Sequence, residues 1–341
     1  MTFAPSSALN GVLASIPSPS VSYIDLGPLR IHFYALCIIA GIIAAVLLTN
    51  WRLTKRGAEP WVVIDISLIA VPLAIIGARI YHVLTHPGFY FGAGTDIWAV
   101  FRIWEGGIAI YGALIGGAIG AFLGCKWTGI RFWTFADALA PGLLLAQAMG
   151  RFGNWFNQEL YGLPTDLPWG LEIDADNPAF PPGLAPGTLF HPTFLYEVIW
   201  NVLGVLFLLW VGNRFRLQWG RLFGLYLVWY SAGRIVWESI RIDPSEVYLG
   251  LRSNVWAAII GVVLGLVIIV VQKRRHPGME PSPYVPGREW KGKGTVQSQD
   301  TDDFVDVSEP PASDVDAPDT GEGTATSTAV SQTPERGVAT K

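Results

Sequence analysis

Residues 150–162 read Gly150-Arg-Phe-Gly-Asn-Trp-Phe-Asn-Gln-Glu-Leu-Tyr-Gly162, and they close an apolar run that starts near residue 133. Arg151, Asn154, Asn157 and Glu159 therefore stand where a membrane span would carry aliphatic side chains. A charge near the bilayer centre costs about 2.5–3.5 kcal/mol on insertion scales. Four polar groups in nine residues need partners, a watery cavity or a polar ligand. Gly150, Gly153 and Gly162 let backbone approach whatever is held there. Gly and Asn alone would suit helix–helix packing; an Arg and a Glu beside them point to a site.

Outward from this stretch the chain is apolar. Of its 341 residues, 51% are hydrophobic and 15% charged, and 15 are Trp. That composition belongs to a polytopic membrane protein. Apolar runs at about 31–51, 61–84, 107–125, 133–150, 193–211, 221–240 and 251–272 each approach the roughly 20 residues that cross a bilayer core. The expected fold is all-α, with seven transmembrane helices over residues 31–275. Trp51, Trp61, Trp104, Trp127, Trp133, Trp210 and Trp219 fall at span ends, as interfacial anchors do. Residues 1–30 form an N-terminal segment with no basic-then-apolar leader pattern. Residues 281–341 hold 11 acidic and 5 basic side chains among Ser, Thr, Pro and Gly. They read as an acidic, disordered tail that chemistry does not need.

Basic residues orient the spans. One set of connections holds Arg52, Lys55 and Arg56, then Lys126 and Arg131, then Arg214, Arg216 and Arg221, then Lys273, Arg274 and Arg275. The opposite set holds Arg102, then none between Glu159 and His191, then Arg241 and Arg252. The positive-inside rule makes the first set cytoplasmic, the N-terminus outside and the C-terminus inside. Gly150–Gly162 then lies at the outer end of span four and leads into the outer loop 159–191.

Other polar groups gather at that depth. Tyr230, Arg234 and Glu238 recur at i, i+4 and i+8 and so share one face of span six. Tyr34 lies at the outer boundary of span one, and Arg79 near the outer end of span two. Arg79 suits either snorkelling to the interface or holding an anion. His191 opens span five, and Glu197 suits the dipole of that helix's first turn. Repeated Gly and Ala after Tyr111 give span three a smooth face for close packing. Cys37 and Cys125 read as small core residues. Arginines outnumber carboxylates in the outer halves, which favours an anionic head group whose tails stay in lipid. A phospholipid is the natural candidate; soluble anions and peptides remain open. A transporter or a seven-helix receptor is the rival reading. Against a transporter, the chain shows no internal repeat with matching broken helices, and its charges cluster towards one side.

These residues resemble a known family. Gly150–Gly162, His32-Phe33-Tyr34, Trp104-Glu105-Gly106-Gly107, His191-Pro192 with Tyr196-Glu197, and Tyr230 through Glu238 match, in order, the pattern of prolipoprotein diacylglyceryl transferases. The resemblance covers about residues 25–275. It implies a multi-pass enzyme of the bacterial inner (plasma) membrane, with seven helices and the N-terminus outside. Such an enzyme moves the diacylglyceryl group of phosphatidylglycerol to the lipobox cysteine thiol of a prolipoprotein signal peptide. The products are a thioether and glycerol-1-phosphate. The implied partners are this lipid and this peptide within the membrane, with no nucleic acid. No cofactor or metal is expected, since no His, Asp and Glu cluster has ligand spacing.

By position the resemblance gives functional weight to Tyr34, Arg151, Asn154, Glu159, Gly162, Tyr230, Arg234 and Glu238. The expected phosphate ligands are Arg151 and Arg234, with Glu238 orienting Arg234. Asn154, Asn157, Glu159, Gly162, Tyr230, Arg79 and His191 complete the expected substrate-binding set, and Tyr34 and Tyr111 the thiol side. Tyr111 is a departure, because many relatives carry a His there. A phenol with an unperturbed pKa of about 10 is a poor base at neutral pH.

Overall fold

The computed structural model describes residues 15–27, 29–92 and 94–292. Within them run seven long helices: α1 Phe33–Lys55, α2 Val62–Thr85, α3 Ile110–Thr128, α4 Phe132–Phe156, α5 Thr193–Arg214, α6 Arg221–Ile240 and α7 Ser253–Arg275. Five of these, α1, α2, α3, α5 and α7, are long and apolar enough to cross a membrane. The other two, α4 and α6, carry the Arg151 and Arg234 motifs. Their polar content reflects the groups the bundle holds inside.

Small residues set how closely the helices approach. Gly112, Gly116, Gly120 and Gly124 recur every four residues along one face of α3. A Cβ on Gly112 would lie 2.2 Å from the Gly77 carbonyl oxygen of α2, and one on Gly116 2.2 Å from that of Leu73. Gly41 and Gly142 do the same work between α1 and α4, and Gly224 and Gly265 between α6 and α7. Between α5 and α6, Trp200 and Trp229 stack at 4.5 Å. Each indole N–H donates to the other's backbone carbonyl at 3.1 Å.

The all-α expectation needs one amendment. Three short antiparallel hairpins flank the helices: β1 Tyr23–Leu26 with β2 Leu29–His32, β3 Leu171–Glu172 with β4 Leu189–Phe190, and β5 Val247–Tyr248 with β6 Leu251–Arg252. Strands of two to four residues are too short for an alternating pattern to announce them. They satisfy backbone groups where the chain enters or leaves a helix.

At the other end, Asp137 of α4 is fully buried and caps α6. Its carboxylate accepts the Gly220 and Phe223 backbone N–H groups, each at 2.8 Å. This satisfies donors that a helix start leaves open. The chain after α7 also returns to this end. Tyr284 is buried and its hydroxyl accepts the Glu59 N–H at 2.8 Å. Arg131 donates through Nε to the Tyr284 carbonyl at 2.8 Å, and the Arg288 guanidinium reaches the Trp127 carbonyl at 2.6 Å. Residues 280–288 thus strap the α1–α2 and α3–α4 turns. The tail expected to be free from residue 281 is anchored at its start; residues 293–341 lie outside the described residues.

Candidate active site

Two guanidinium centres form where α4 and α6 end, beyond a shared polar contact. Gln147 of α4 donates to the Tyr226 hydroxyl of α6 at 3.0 Å. One turn further along α4 stands Arg151; one and two turns further along α6 stand Tyr230 and Arg234. A turn rises about 5.4 Å, so both arginines lie on the same side of that contact, within a turn of each other in height. Since α5 returns between them, α4 and α6 run in the same direction.

The Arg151 guanidinium is 2.7 Å from the Glu197 carboxylate of α5, which is almost fully buried. It also donates to Asn154 Oδ1 at 3.3 Å. Asn154 in turn donates to Glu159 Oε1 at 2.9 Å, and Asn157 to the same oxygen at 3.3 Å. The four polar residues of the opening stretch are therefore one hydrogen-bonded chain. The turn that folds Glu159 back is unusual, because Gln158 and Leu160 both take left-handed backbone angles (φ 51° and 59°). Such angles cost a non-glycine residue on the order of 1–3 kcal/mol unless the surroundings enforce them. Here the Gln158 side chain clasps Asp174, donating to Oδ2 at 2.6 Å and accepting the Asp174 N–H at 2.8 Å.

The second centre is built around Glu238, which is fully buried. Its carboxylate meets Arg234 at 2.8 Å, Arg252 at 3.0 Å and Arg241 at 3.7 Å, and Asn254 donates to it at 3.0 Å. Arg241 and Arg252 both pair with Asp243 as well, at 2.6 and 3.1 Å. Burial alone would raise the Asp243 pKa. The hydrogen bond from Arg241 and the charges of Arg241 and Arg252 outweigh it and hold the carboxyl below its ordinary value. Three arginines against two carboxylates leave the cluster net positive. Arg234 makes no ion pair beyond Glu238 among the described residues, so most of its fork stays available to an anion.

Gly162 joins the two centres. It forms a β-bridge with Arg241, and its N–H donates to the His191 carbonyl at 3.0 Å. A Cβ there would sit 2.8 Å from His191 Cβ and 3.1 Å from the Ile240 carbonyl oxygen, so this close approach needs glycine. The His191 ring meets the Tyr196 hydroxyl at 3.2 Å, and Tyr196 packs on Trp237 of α6. Tyr34 lies over Gly153, where a Cβ would come within 2.4 Å of its ring. Tyr111 lines a mostly apolar cavity of about 490 Å³ with Tyr81, Tyr248, Ser253 and Trp256. Ser253 sits between Arg252 and Asn254, so this cavity adjoins the Glu238 cluster.

Arg79 stands apart from both centres. Its guanidinium donates to the carbonyls of Val100 at 2.8 Å, Gly106 at 2.6 Å and Gly107 at 2.9 Å, and closely to Ala99. It also lies over the Tyr90 ring. With these N–H groups engaged, Arg79 braces the segment 97–107. Sequence reasoning placed Arg241 on the Arg234 face, seven residues on, but it did not single out Arg252, Asn254 or Gln158, and it gave Glu197 only a helix-dipole role. The excess of basic residues at 241 and 252 on an otherwise base-poor side was the available signal.

The family model described as prolipoprotein diacylglyceryl transferase matches residues 21–271. The phosphatidylglycerol–prolipoprotein diacylglyceryl transferase of Leifsonia xyli subsp. xyli is 60% identical over 302 residues, covering 85% of this chain and 90% of that protein. A protein of the same description from Streptomyces coelicolor, numbered 2, is 48% identical over 269 residues, covering 79% and 84%. One from Paenarthrobacter aurescens is 48% identical over 267 residues, covering 76% and 84%. With the Arg151 and Arg234 centres occupying the matched span, the chain belongs to the prolipoprotein diacylglyceryl transferase family.

Proposed function

We propose that this protein is a phosphatidylglycerol–prolipoprotein diacylglyceryl transferase that carries out the first step of lipoprotein maturation, with Arg151 and Arg234 as its phosphate ligands. The lipobox cysteine thiolate attacks the diacylglyceryl carbon that bears the phosphate ester. A C–S bond forms, the C–O bond to phosphate breaks, and glycerol-1-phosphate departs with the electron pair. Family membership carries the reaction. One observation carries the residue roles: two guanidiniums on parallel helices, at similar height, each held by a buried carboxylate.

Preorganised positive charge is what a departing phosphate ester needs, because it costs no rearrangement as negative charge builds. Guanidinium forks also match phosphate oxygens in pairs. Glu238 with Arg241, Arg252 and Asn254 orients Arg234, and Glu197 with Asn154 orients Arg151. Asn157 and Glu159 support Asn154, and Gly162 with His191 holds the two centres together. Tyr230 adds a hydroxyl one turn below Arg234. Tyr34 and Tyr111 shape the thiol side, and nearby arginines favour the thiolate over the thiol. All seven helices cross the bacterial plasma membrane, with the N-terminus and this site outside and the strap inside. That orientation follows from the base-rich connections 52–56, 126–131, 214–221 and 273–275.

The test is transfer by the purified protein in vesicles. A lipobox peptide should gain the mass of a diacylglyceryl group when phosphatidylglycerol is present, and not with phosphatidylethanolamine alone. Absence of a thioether product from folded protein, or transfer that survives Arg151→Ala and Arg234→Ala, refutes the assignment.

A further inference from the structure

At the end of the bundle opposite the guanidinium pair, a cleft of about 390 Å³ opens between the end of α1 and the connection from α5 to α6. Arg52, Lys55 and Arg56 line one side, Arg216 the other, with Trp51 and Met279 among the apolar groups. Four cations around one cleft repel one another, and the two nearby carboxylates, Glu280 and Asp137, offset only part of this because their oxygens are held mainly by other donors. Glu280 approaches Arg56 only to 3.8 Å; its oxygens instead accept the Thr134 hydroxyl at 2.7 Å and the Trp219 N–H at 2.8 Å. Asp137 caps α6 with its carboxylate and offers Arg52 only its backbone carbonyl, at 3.3 Å.

Arg52 is 7% exposed, yet its Nε has no hydrogen-bond partner among the described residues, and the Arg56 terminal nitrogen that faces Glu280 at 3.8 Å makes no hydrogen bond either. Buried donors of this kind are costly to leave unmatched, more so when charged. An anion in the cleft would supply the missing acceptors and the balance of counter-charge that two carboxylates leave against four cations. Trp51 is half exposed on the flank of the cleft, with the Lys55 ammonium 5.1 Å over its ring. That pairing of an exposed indole with a cation marks the level of lipid head groups.

We propose that this cleft binds the phosphate ester of an anionic phospholipid from the leaflet at this end of the protein. The site is separate from the substrate centre and its existence does not depend on the roles given to Arg151 and Arg234. Guanidiniums read the phosphate oxygens, and the flank beside Trp51 leaves the acyl chains in the bilayer.

The experiment uses the full-length protein carrying Arg151→Ala and Arg234→Ala, so that lipid retained at the substrate centre does not confuse the count. Native mass spectrometry from detergent then compares retention of phosphatidylglycerol with that of phosphatidylcholine. Adding Lys55→Gln with Arg216→Gln is expected to weaken phosphatidylglycerol retention by about fivefold for each charge removed. Arg52→Gln should act at least as strongly, and phosphatidylcholine retention should not change. Should Arg52→Gln lower the melting temperature, the two exposed positions carry the test by themselves. Equal retention of phosphatidylglycerol in the Lys55→Gln/Arg216→Gln protein and its parent overturns the proposal. Charge-dependent binding of free glycerol phosphate, with no preference for the lipid, also overturns it and assigns the cleft to a soluble phosphate ester.

Discussion

Replacing Glu197 with Gln tests the architecture of the site at the point where sequence and structure differ most. By sequence Glu197 reads as a helix-dipole acid near the start of α5, whose loss at a surface costs about 0.3–1 kcal/mol of stability and nothing in catalysis; the helix begins at Thr193, which puts Glu197 past its first turn. In the structure its carboxylate is 2.7 Å from the Arg151 guanidinium, with the Glu side chain 5% exposed and the Arg side chain 15%. Gln keeps the shape and a neutral acceptor but removes the charge. A hydrogen bond to a charged group contributes about 1.5–3 kcal/mol and a neutral one about 0.5–1.5. The substitution should therefore lose roughly 1–1.5 kcal/mol of the restraint on Arg151. If the restraint acts only when phosphate charge develops, transfer slows by about five- to thirteenfold. The loss should appear in kcat more than in KM, because a mispositioned Arg151 still attracts the lipid. Glu197→Ala should be far worse, since an unpaired buried guanidinium costs about 3–5 kcal/mol. The assay is initial-rate transfer in phosphatidylglycerol vesicles, with thermal unfolding as the control. Placed on Arg151→Lys, Glu197→Gln should add little further loss, because contacting residues are not additive. Wild-type kcat in Glu197→Gln, or a full additional loss on the Lys background, would refute the claim that Glu197 acts through Arg151.

Arg151→Ala and Arg234→Ala should each abolish transfer while the protein still inserts and folds, and Lys should rescue poorly because an ammonium cannot form the paired contacts of a fork; near-normal turnover of either Ala variant in vesicles would count against both roles. Tyr111→Phe should keep at least about a tenth of the wild-type rate, the scale of one hydrogen bond, whereas a loss of about a thousandfold, on the scale of acid–base catalysis, would make the hydroxyl a proton carrier. Removing residues 293–341 should leave vesicle transfer within about a few-fold, but Tyr284→Ala, which empties a buried site in the strap, should cost about 3 kcal/mol and lower the melting temperature. Acid should loosen the Arg241–Asp243–Arg252 junction: a depressed folded-state pKa adds stability that is present above the ordinary carboxylate pKa of about 4 and is lost as pH falls through the lower folded value. Asp243→Asn should flatten that acid limb in pH-dependent unfolding, and an unchanged limb would show that Asp243 does not contribute to it.

The sequence alone determined the features that depend on local composition and spacing. Seven apolar runs of bilayer length correspond to helices α1–α7, because hydrophobic length and helical rise are properties of each segment by itself. The repeated Gly and Ala after Tyr111 announced a packing face, and the i, i+4, i+8 series placed Tyr230, Arg234 and Glu238 on one side of α6. Gly150–Gly162 stood out as a candidate site because helix packing accounts for Gly and Asn at the end of an apolar run but not for an Arg and a Glu beside them. Tertiary structure alone decided which charge meets which. Spacing left Arg79 between snorkelling and holding an anion, and only the fold shows its N–H groups on the carbonyls of residues 99–107. Glu197 became the partner of Arg151 only because α5 packs beside α4. Arg252 and Asn254 reached Glu238 only because a hairpin turns the chain from α6 into α7, whereas Arg241 meets it as a local i,i+3 neighbour. Asp137, capping a helix more than eighty residues away, and Tyr284, tucked under the α1–α2 turn, left no mark in their own neighbourhoods. An ion pair's energy falls steeply with distance, and that distance is set by helix neighbours that no local pattern encodes.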